Sequence, residues 1–212
     1  MTTEFIGLDI EATGADWQPP GQRPNYQRFA LCQIGLAYLY RNSVDETLYG
    51  RKPEPRWVSA VVGHDTFDSE PEAMAVHKIT EDQIRGAPRP AEVERSLIGW
   101  MDEQGIRKAI PVGYSVGSFD MPYVREAMPE FARRISMRSL DLNAVVFTIS
   151  EITGRSHNAV KAAGANYAEK VIRKETSMTG VKHDAGYDAL SAILSWEYFK
   201  SILVMREIHD HL

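Results

Sequence analysis

The chain has 212 residues, of which 43% are hydrophobic and 25% are charged, and it carries a net charge of −5. This composition is typical of a globular domain, and no apolar run approaches the ~20 residues that a membrane-spanning helix needs. Cys32 is the only cysteine, which excludes an internal disulfide framework and a cysteine-based zinc site. Because the N-terminal residues lack the basic start of a signal peptide, we expect a cytoplasmic protein with no membrane association and a single domain over residues 1–212.

The first quarter of the chain favours strands. Its apolar and β-branched segments predict strands over residues 4–10, 29–40 and 44–49. The segment between the first two is rich in proline and predicts a long loop over residues 15–28.

Helical periodicity dominates the rest of the chain. The predicted helices cover residues 71–77, a segment from residue 80 opened by the capping-box pattern Thr80-Glu81-Asp82-Gln83, and residues 90–104, 120–128, 144–152, 160–174 and 185–208. Two further strands are predicted at residues 109–115 and 135–142. Strands followed by strands that alternate with helices predict one α/β fold, with a mixed sheet flanked by helices.

The charge distribution bears on possible partners. A net charge of −5 argues against phosphate binding, because proteins that bind nucleic acid are usually basic. One segment is locally basic, with a charge of +4 from Arg155, Lys161, Lys170, Arg173, Lys174 and Lys182 against Glu169 and Glu175. A solvated helix surface is the simpler interpretation, and a short patch that holds one strand end is the alternative.

Two carboxylates stand together at the end of the first predicted strand, in Leu8-Asp9-Ile10-Glu11-Ala12-Thr13-Gly14. Side chains alternate along a strand, so Asp9 and Glu11 point to the same side of the sheet. Their mutual repulsion and desolvation are unfavourable, and divalent cations would relieve both. Taken alone, Asp-x-Glu is common, which favours the alternative that the strand ends at Asp9 and both carboxylates are solvated.

A third carboxylate follows a later strand. The segment from Gly113 to Tyr123 predicts a strand, a tight glycine turn and then a helix, with Asp120 near the start of that helix. A carboxylate stabilises the first turn of a helix. Alone, Asp120 is therefore more simply a helix cap than a metal ligand.

His183 and Asp188 lie around the start of the last predicted helix. With His183 in the preceding loop and Asp188 in the second turn, the two side chains can approach one cavity. The small residues Ala185, Gly186 and Ala189 permit close approach of the backbone. An isolated histidine before a helix is ordinarily a surface or capping residue.

In this order, the three motifs resemble the histidine-containing (DEDDh) branch of the DEDD exonuclease superfamily. The matching segments are Asp9-Ile10-Glu11-Ala12-Thr13-Gly14, Phe119-Asp120 and His183-Asp184-Ala185-Gly186-Tyr187-Asp188, with further similarity at Gln33-Ile34-Gly35 and His77-Lys78-Ile79-Thr80. The resemblance covers about residues 5–194 and is to the proofreading epsilon-type and the RNase T/oligoribonuclease-type exonucleases. The tyrosine branch would have Tyr four residues before the last Asp, where this chain has Asp184.

The resemblance implies an α/β fold of the ribonuclease H-like class, with a mixed five-stranded sheet, and a 3′→5′ exonuclease that releases nucleoside monophosphates. Asp9, Glu11, Asp120 and Asp188 would hold two Mg²⁺ or Mn²⁺ ions, because carboxylate oxygens suit these hard cations. His183 would accept the proton of the attacking water, since imidazole exchanges protons near neutral pH.

The same resemblance implies a set of substrate-binding residues: Ala12, Thr13, Gly14, His77 and Phe119. The backbone after the first motif would hold the terminal nucleotide. Phe119 and Tyr123 offer aromatic faces to bases, and a core position is the alternative for each. The family commonly has His-Asn shortly before Phe-Asp. This chain has Tyr114-Ser115 and an inserted Gly117-Ser118 instead, which leaves the fine substrate contacts open.

The expected partner is the 3′ end of a nucleic acid, with single-stranded DNA favoured over RNA. Two other functions stay open: a module that binds strand ends without cutting, and a proofreading subunit active only within a polymerase complex. A homodimer, or a polymerase or repair partner, is compatible with the family. The complete carboxylate set favours the enzyme, because clustered acids are costly to keep without metal.

Overall fold

A mixed five-stranded sheet forms the centre of the protein in the computed structural model, which describes residues 4–15, 24–40, 54–178 and 182–210. The strands are Glu4–Ala12 (β1), Leu31–Tyr40 (β2), Glu54–Val61 (β3), Ala109–Gly113 (β4) and Leu140–Asp141 (β5). Their order is β3-β2-β1-β4-β5. The first three pair antiparallel, whereas β4 and β5 continue parallel to β1. The predicted mixed five-stranded α/β architecture is confirmed.

Helices flank both faces of this sheet. Within the described residues they are Asn25–Arg28 (α1), Pro71–His77 (α2), Glu81–Gly86 (α3), Pro90–Glu103 (α4), Asp120–Ala127 (α5), Pro129–Arg134 (α6), Leu142–Thr153 (α7), His157–Glu175 (α8) and Ala185–Asp210 (α9). The predicted capping box at Thr80 is present and opens α3. None of these helices is both long and apolar enough to cross a membrane.

The two faces of the sheet belong to two hydrophobic cores. Ile6, Leu8 and Ile10 alternate onto one face, where they are buried against α4, α5 and α6. The other face of β1 and β2 is covered by α9, which is in turn packed against α7 and α8. Asp9 and Glu11 belong to this second face, at the end of β1.

The third strand of the sheet was not predicted from the sequence. The predicted strand at 44–49 lies outside the described residues, and β3 at Glu54–Val61 was not predicted. β3 is an edge strand, and most of its residues are partly exposed. Such a strand lacks a continuous apolar pattern, and Pro55 is tolerated there because an edge strand leaves some N–H groups unpaired.

Two other predictions need correction. The predicted strand 135–142 is almost entirely wrong, because β5 contains only Leu140 and Asp141, and Ile135 makes an isolated bridge to Ala109. β5 is short because the Asp141 side chain accepts a hydrogen bond from the Asn143 N–H and starts α7. Helices α1, within the predicted loop 15–28, and α6 were not predicted.

Candidate active site

Asp9 and Glu11 lie side by side at the end of β1, on the face covered by α9. β1 continues beyond Glu11, so the alternative in which the strand ends at Asp9 is wrong. Across the ladder to β2, Gly35 is the partner of Asp9 and Gln33 is the partner of Glu11. On the other side, β4 pairs only with the first part of β1. Both carboxylates therefore lie where β1 extends beyond the end of β4, at the edge of the sheet that is formed by the ends of its strands.

Asp120 reaches the same edge from the start of α5. The turn after β4 passes through Ser115, which has a left-handed backbone with φ of 59°, and the N–H of Phe119 donates to the Ser115 carbonyl at 2.8 Å. Asp120 is only 3% exposed, and its Oδ1 accepts a hydrogen bond from the backbone N–H of Ile10 at 2.9 Å. This bond fastens α5 to β1 at the residue between the two β1 carboxylates. A simple cap on its own helix does not account for this position.

Two glycines let α9 lie directly against the sheet. A Cβ atom on Gly35 would lie 2.1 Å from the carbonyl oxygen of Ala185, and one on Gly7 would lie 2.0 Å from that of Ala189. Neither position accepts a side chain unless the helix moves away. Asp188 is in the first turn of α9, not in the second turn as predicted. The close contact brings its carboxylate next to β1.

Gln33 clamps the start of α9 to the sheet, and the sequence did not reveal this role. Its Nε2 donates to Asp184 Oδ2 at 2.9 Å and to Ser59 Oγ at 3.1 Å, while its Oε1 accepts from the Ala185 N–H at 3.1 Å. Asp184 also accepts from the Tyr187 N–H at 3.1 Å and so caps α9. A polar residue in the apolar run of β2, two positions before Gly35, was the available signal.

His183 immediately precedes this cap, in a left-handed conformation with φ of 71°. Its backbone N–H donates to Asp188 Oδ2 at 2.8 Å, which holds the strained residue in place. A ring nitrogen of His183 and one carboxylate oxygen each from Glu11 and Asp188 all lie within 4.8 Å of one another. The structure therefore brings the predicted histidine together with carboxylates of β1 and α9.

The carboxylates of this cluster are held in unfavourable surroundings. Burial raises the pKa of Asp9 well above its usual range, and the charges of Asp120, Asp188 and Glu11 raise it further. Burial, followed by the charges of Asp188 and Asp120, raises the pKa of Glu11 to about 8. Burial also raises the pKa of Asp120 to about 7 and that of Asp188 above its usual range. The negative charge of one carboxylate therefore makes the ionisation of its neighbours in the cluster less favourable.

A divalent cation fits this donor set. Ligands on one Mg²⁺, each at ~2.1 Å from it, lie at most ~4.2 Å apart, and carboxylate oxygens of Glu11 and Asp188 lie within 4.8 Å of one another, close to this limit. The remaining donors are carboxylate oxygens, which hard cations such as Mg²⁺ and Mn²⁺ prefer. A cation would also offset the repulsion that raises the pKa values of the carboxylates.

Thr13, predicted to contact the substrate, is bonded within the protein. It is fully buried, its N–H donates to the Ala30 carbonyl at 2.9 Å, and its hydroxyl donates to the Asp68 carbonyl at 2.6 Å. The Thr13 carbonyl accepts from the Glu70 N–H at 2.7 Å. Thr13 thus fixes the path of the backbone after β1. Nucleotide binding by Ala12, Thr13 and Gly14 stays a prediction.

The other residues predicted to contact the substrate differ in their exposure to solvent. His77 is 8% exposed, its Nδ1 accepts from the Ile79 N–H at 3.0 Å, and its Nε2 lies 3.7 Å from Cys32 Sγ. Phe119 is half-buried at the start of α5, with its ring centroid 5.4 Å from that of Tyr123. Tyr123 is a core residue whose hydroxyl donates to the Gly14 carbonyl at 2.9 Å, so it has no face free for a base. Substrate contact by His77 and Phe119 stays a prediction.

Comparison with known proteins extends the fold assignment. No protein-family model matches the chain, and no curated protein matches it. Solved structures do: the nuclease domain of 3'hExo, a DEDDh family member bound to rAMP, has a TM-score of 0.55 and 13% identity over 93% of this chain and 92% of that chain.

Two further solved structures are similar to this chain in fold. A 3′-exonuclease in 3′-end-specific recognition of a histone mRNA stem-loop has a TM-score of 0.56 and 12% identity over 95% of this chain and 84% of that chain. A full-length 3′-exonuclease has a TM-score of 0.57 and 13% identity over 94% of this chain and 62% of that chain. At these identities the likeness establishes the fold, which is α/β, ribonuclease H-like, and similar to that of DEDDh exonuclease domains.

Proposed function

We propose that this protein is a metal-dependent nuclease that removes nucleotides one at a time from the 3′ end of a nucleic-acid strand. The observation that carries the proposal is the convergence of four carboxylates, one buried and three partly buried, and one histidine from β1, α5 and the start of α9: Asp9, Glu11, Asp120, Asp188 and His183. Their raised pKa values indicate a cluster without its counter-charge, which a divalent cation would supply. The likeness in fold to DEDDh 3′-exonucleases supports the same function.

Asp9, Glu11, Asp120 and Asp188 would hold two Mg²⁺ or Mn²⁺ ions through their carboxylate oxygens. When bound, such ions activate water and neutralise charge on the phosphate oxygens of the substrate. Because burial raises the pKa values of Asp9 and Glu11, these carboxylates retain their protons to a higher pH than exposed carboxylates do in the absence of metal. Metal binding should therefore release protons and weaken as the pH falls.

His183 is the proposed general base. Its ring lies beside the carboxylates of Glu11 and Asp188, and the hydrogen bond from its backbone to Asp188 fixes its position. A positioned base of this kind contributes ~10²–10⁴-fold to the rate. Loss of Asp188 would remove a proposed metal ligand and the group that holds His183, so this substitution should affect both functions.

The proposed substrate is a free 3′ end, bound beside the backbone of Ala12, Thr13 and Gly14, with a nucleoside monophosphate as the product. The polarity is inferred from the likeness to 3′-exonucleases. Single-stranded DNA is the substrate expected from the sequence. One structural neighbour recognises a histone mRNA stem-loop, so RNA belongs in the same assay.

The test uses oligonucleotides labelled at the 5′ end, in DNA and RNA form, incubated with the purified protein and Mg²⁺. We expect a ladder that shortens from the 3′ end, resistance of strands with a blocked 3′ end, and no effect of a blocked 5′ end. Circular strands should survive. Cutting of circles would indicate an endonuclease, and tight binding of ends without cutting would indicate the non-catalytic module.

A further inference from the structure

The C-terminal half of α8 carries a basic groove that the proposed chemistry does not use. The described residues that line it lie along one side of the helix: Asn166, Glu169, Lys170, Arg173 and Lys174. Its volume is about 410 Å³, and it is open to solvent. Three cations face one carboxylate here, although the whole chain has a net charge of −5.

The charges of this groove are available to an incoming anion. Arg173 forms an ion pair with Glu169, and Lys174 lies 3.8 Å from Glu175. Exposed pairs of this kind are worth only ~0–1 kcal/mol, so a phosphate can replace them at low cost. Lys170 is exposed one helical turn before Lys174, on the same side of α8.

The packing of α8 against α9 sets the direction of the groove. The ring of Tyr167 stacks on that of Tyr198, with centroids 5.4 Å apart. One turn earlier on α8, a Cβ atom on Gly164 would lie 2.5 Å from the Phe199 ring. Only residues 176–184 connect the end of α8 to the start of α9, too few to lead the chain back along α8 before α9 begins. The two helices therefore run antiparallel, and the C-terminal half of α8 lies alongside the N-terminal part of α9.

The groove adjoins the carboxylate cluster through the first turn of α9. Arg173 and Lys174 lie in the last turn of α8, beside the first turn of α9, which contains Asp188. Lys182 lies between the two helices, directly before His183. Positive charge thus extends from Lys182, close to the cluster, to Arg173 in the groove.

We propose that the α8 groove binds backbone phosphates of the same strand whose 3′ end lies at the carboxylate cluster, a few nucleotides upstream of the bond that is cut. This inference rests on the proposed function. The carboxylate cluster would contact only the end of the strand, so a separate cationic surface would hold the phosphates upstream of it. The phosphate-binding side chains are Lys170, Arg173 and Lys174. Because phosphate contacts carry no sequence information, the groove should hold DNA and RNA of any sequence.

The decisive variant is Lys170→Gln with Lys174→Gln, which removes two groove cations from an exposed helix surface and leaves the core untouched. Its control is Arg107→Gln with Lys108→Gln, which changes the net charge by the same amount. The control pair is exposed and directly precedes β4, whose first residue pairs with Glu4 at the start of β1. It therefore lies at the end of β1 opposite to the carboxylates.

Binding is measured by the anisotropy of a fluorescent single strand of ~12 nucleotides, in EDTA so that no cutting occurs, between ~50 and ~200 mM NaCl. Each phosphate contact on a single strand contributes ~0.7 to the slope of log K against log salt. The groove variant loses two such contacts, so we expect its slope to be less steep by ~1.4 and its binding to be weaker. The control should have the slope and the affinity of the parent. An unchanged slope in the groove variant, an equal loss in the control, or no binding by the parent would overturn the proposal.

The two proposals fail in different ways. A parent protein that binds strands through the groove but releases no nucleotides in Mg²⁺ would refute the exonuclease and leave the groove in place. A parent that digests strands, with a groove variant whose salt dependence is unchanged, would refute the groove alone.

Discussion

Replacement of Glu11 by glutamine should stabilise the metal-free protein at alkaline pH. The unfolded chain releases the Glu11 proton near pH 4.5, whereas burial and the charges of Asp188 and Asp120 raise the pKa of Glu11 in the native protein to about 8. Between these pH values the native state binds more protons than the unfolded state, so the free energy of unfolding falls as the pH rises. Glutamine cannot ionise and escapes this loss.

The magnitude follows from the size of the shift. One pKa unit corresponds to about 1.4 kcal/mol, so the change from 4.5 to about 8 corresponds to ~5 kcal/mol as an upper bound. Glu11 is only partly buried, and solvent screening reduces this figure to an expected gain of ~1–2 kcal/mol at pH 8. For a chain of this length such a gain raises the melting temperature by ~2–8 °C.

Thermal unfolding followed by circular dichroism in EDTA measures this gain, at ~pH 5 and ~pH 8. The gain in stability of Glu11→Gln over the parent should be large at the higher pH and small at the lower pH. Mg²⁺ should stabilise the parent more than Glu11→Gln, because the variant has lost a proposed ligand. The matched control is Glu94→Gln, a buried residue of α4 that accepts a hydrogen bond from the Phe131 N–H at 2.8 Å. A Glu11→Gln protein less stable than the parent at the higher pH would refute the reasoning.

Three further predictions concern the base, the clamp and the packing of α9. His183→Ala and His183→Asn should bind Mn²⁺ and a single strand nearly as well as the parent but turn over ~10²–10⁴-fold more slowly near neutral pH; a parent-like rate in the Asn variant would exclude His183 as the base. Gln33→Leu should weaken Mn²⁺ binding ~10–100-fold in calorimetric titration, since the start of α9 loses its anchor; unchanged affinity would limit Gln33 to a role in stability. Gly35→Ala should lower the free energy of unfolding by ~1–3 kcal/mol or more, because its Cβ would meet the Ala185 carbonyl. Gly99→Ala, with open space around it, should be neutral or stabilising in the same denaturant titration.

Local periodicity was sufficient to predict the parts of the site that lie on single elements. The two-residue alternation of a strand placed Asp9 and Glu11 on one side of β1, and the turn and helix signals around residues 113–123 placed Asp120 at the start of α5. The positions of His183 and Asp188 around the start of α9 were also predicted, except that Asp188 belongs to the first turn of the helix and not to the second.

Features that depend on distant contacts could not be predicted in this way. The hydrogen bond from Gln33 to Asp184 joins residues 151 positions apart, and no local pattern pairs them. The partly exposed edge strand β3 lacked a clear apolar alternation, and the last strand is cut short by the cap at Asp141. Both errors concern the outer strands of the sheet, whereas the site lies on its central strand.

The carboxylate cluster should act only with a divalent cation. The most direct measurement is the release of nucleoside monophosphates from a single strand by the parent and by Asp120→Asn, in Mg²⁺ and in excess EDTA. Asp102→Asn is the control, because Asp102 is an exposed carboxylate paired with Arg134 on the protein surface. We predict release by the parent and the control in Mg²⁺ alone, and only background release by Asp120→Asn. Undiminished release in EDTA, or a fully active Asp120→Asn protein, would contradict the claim.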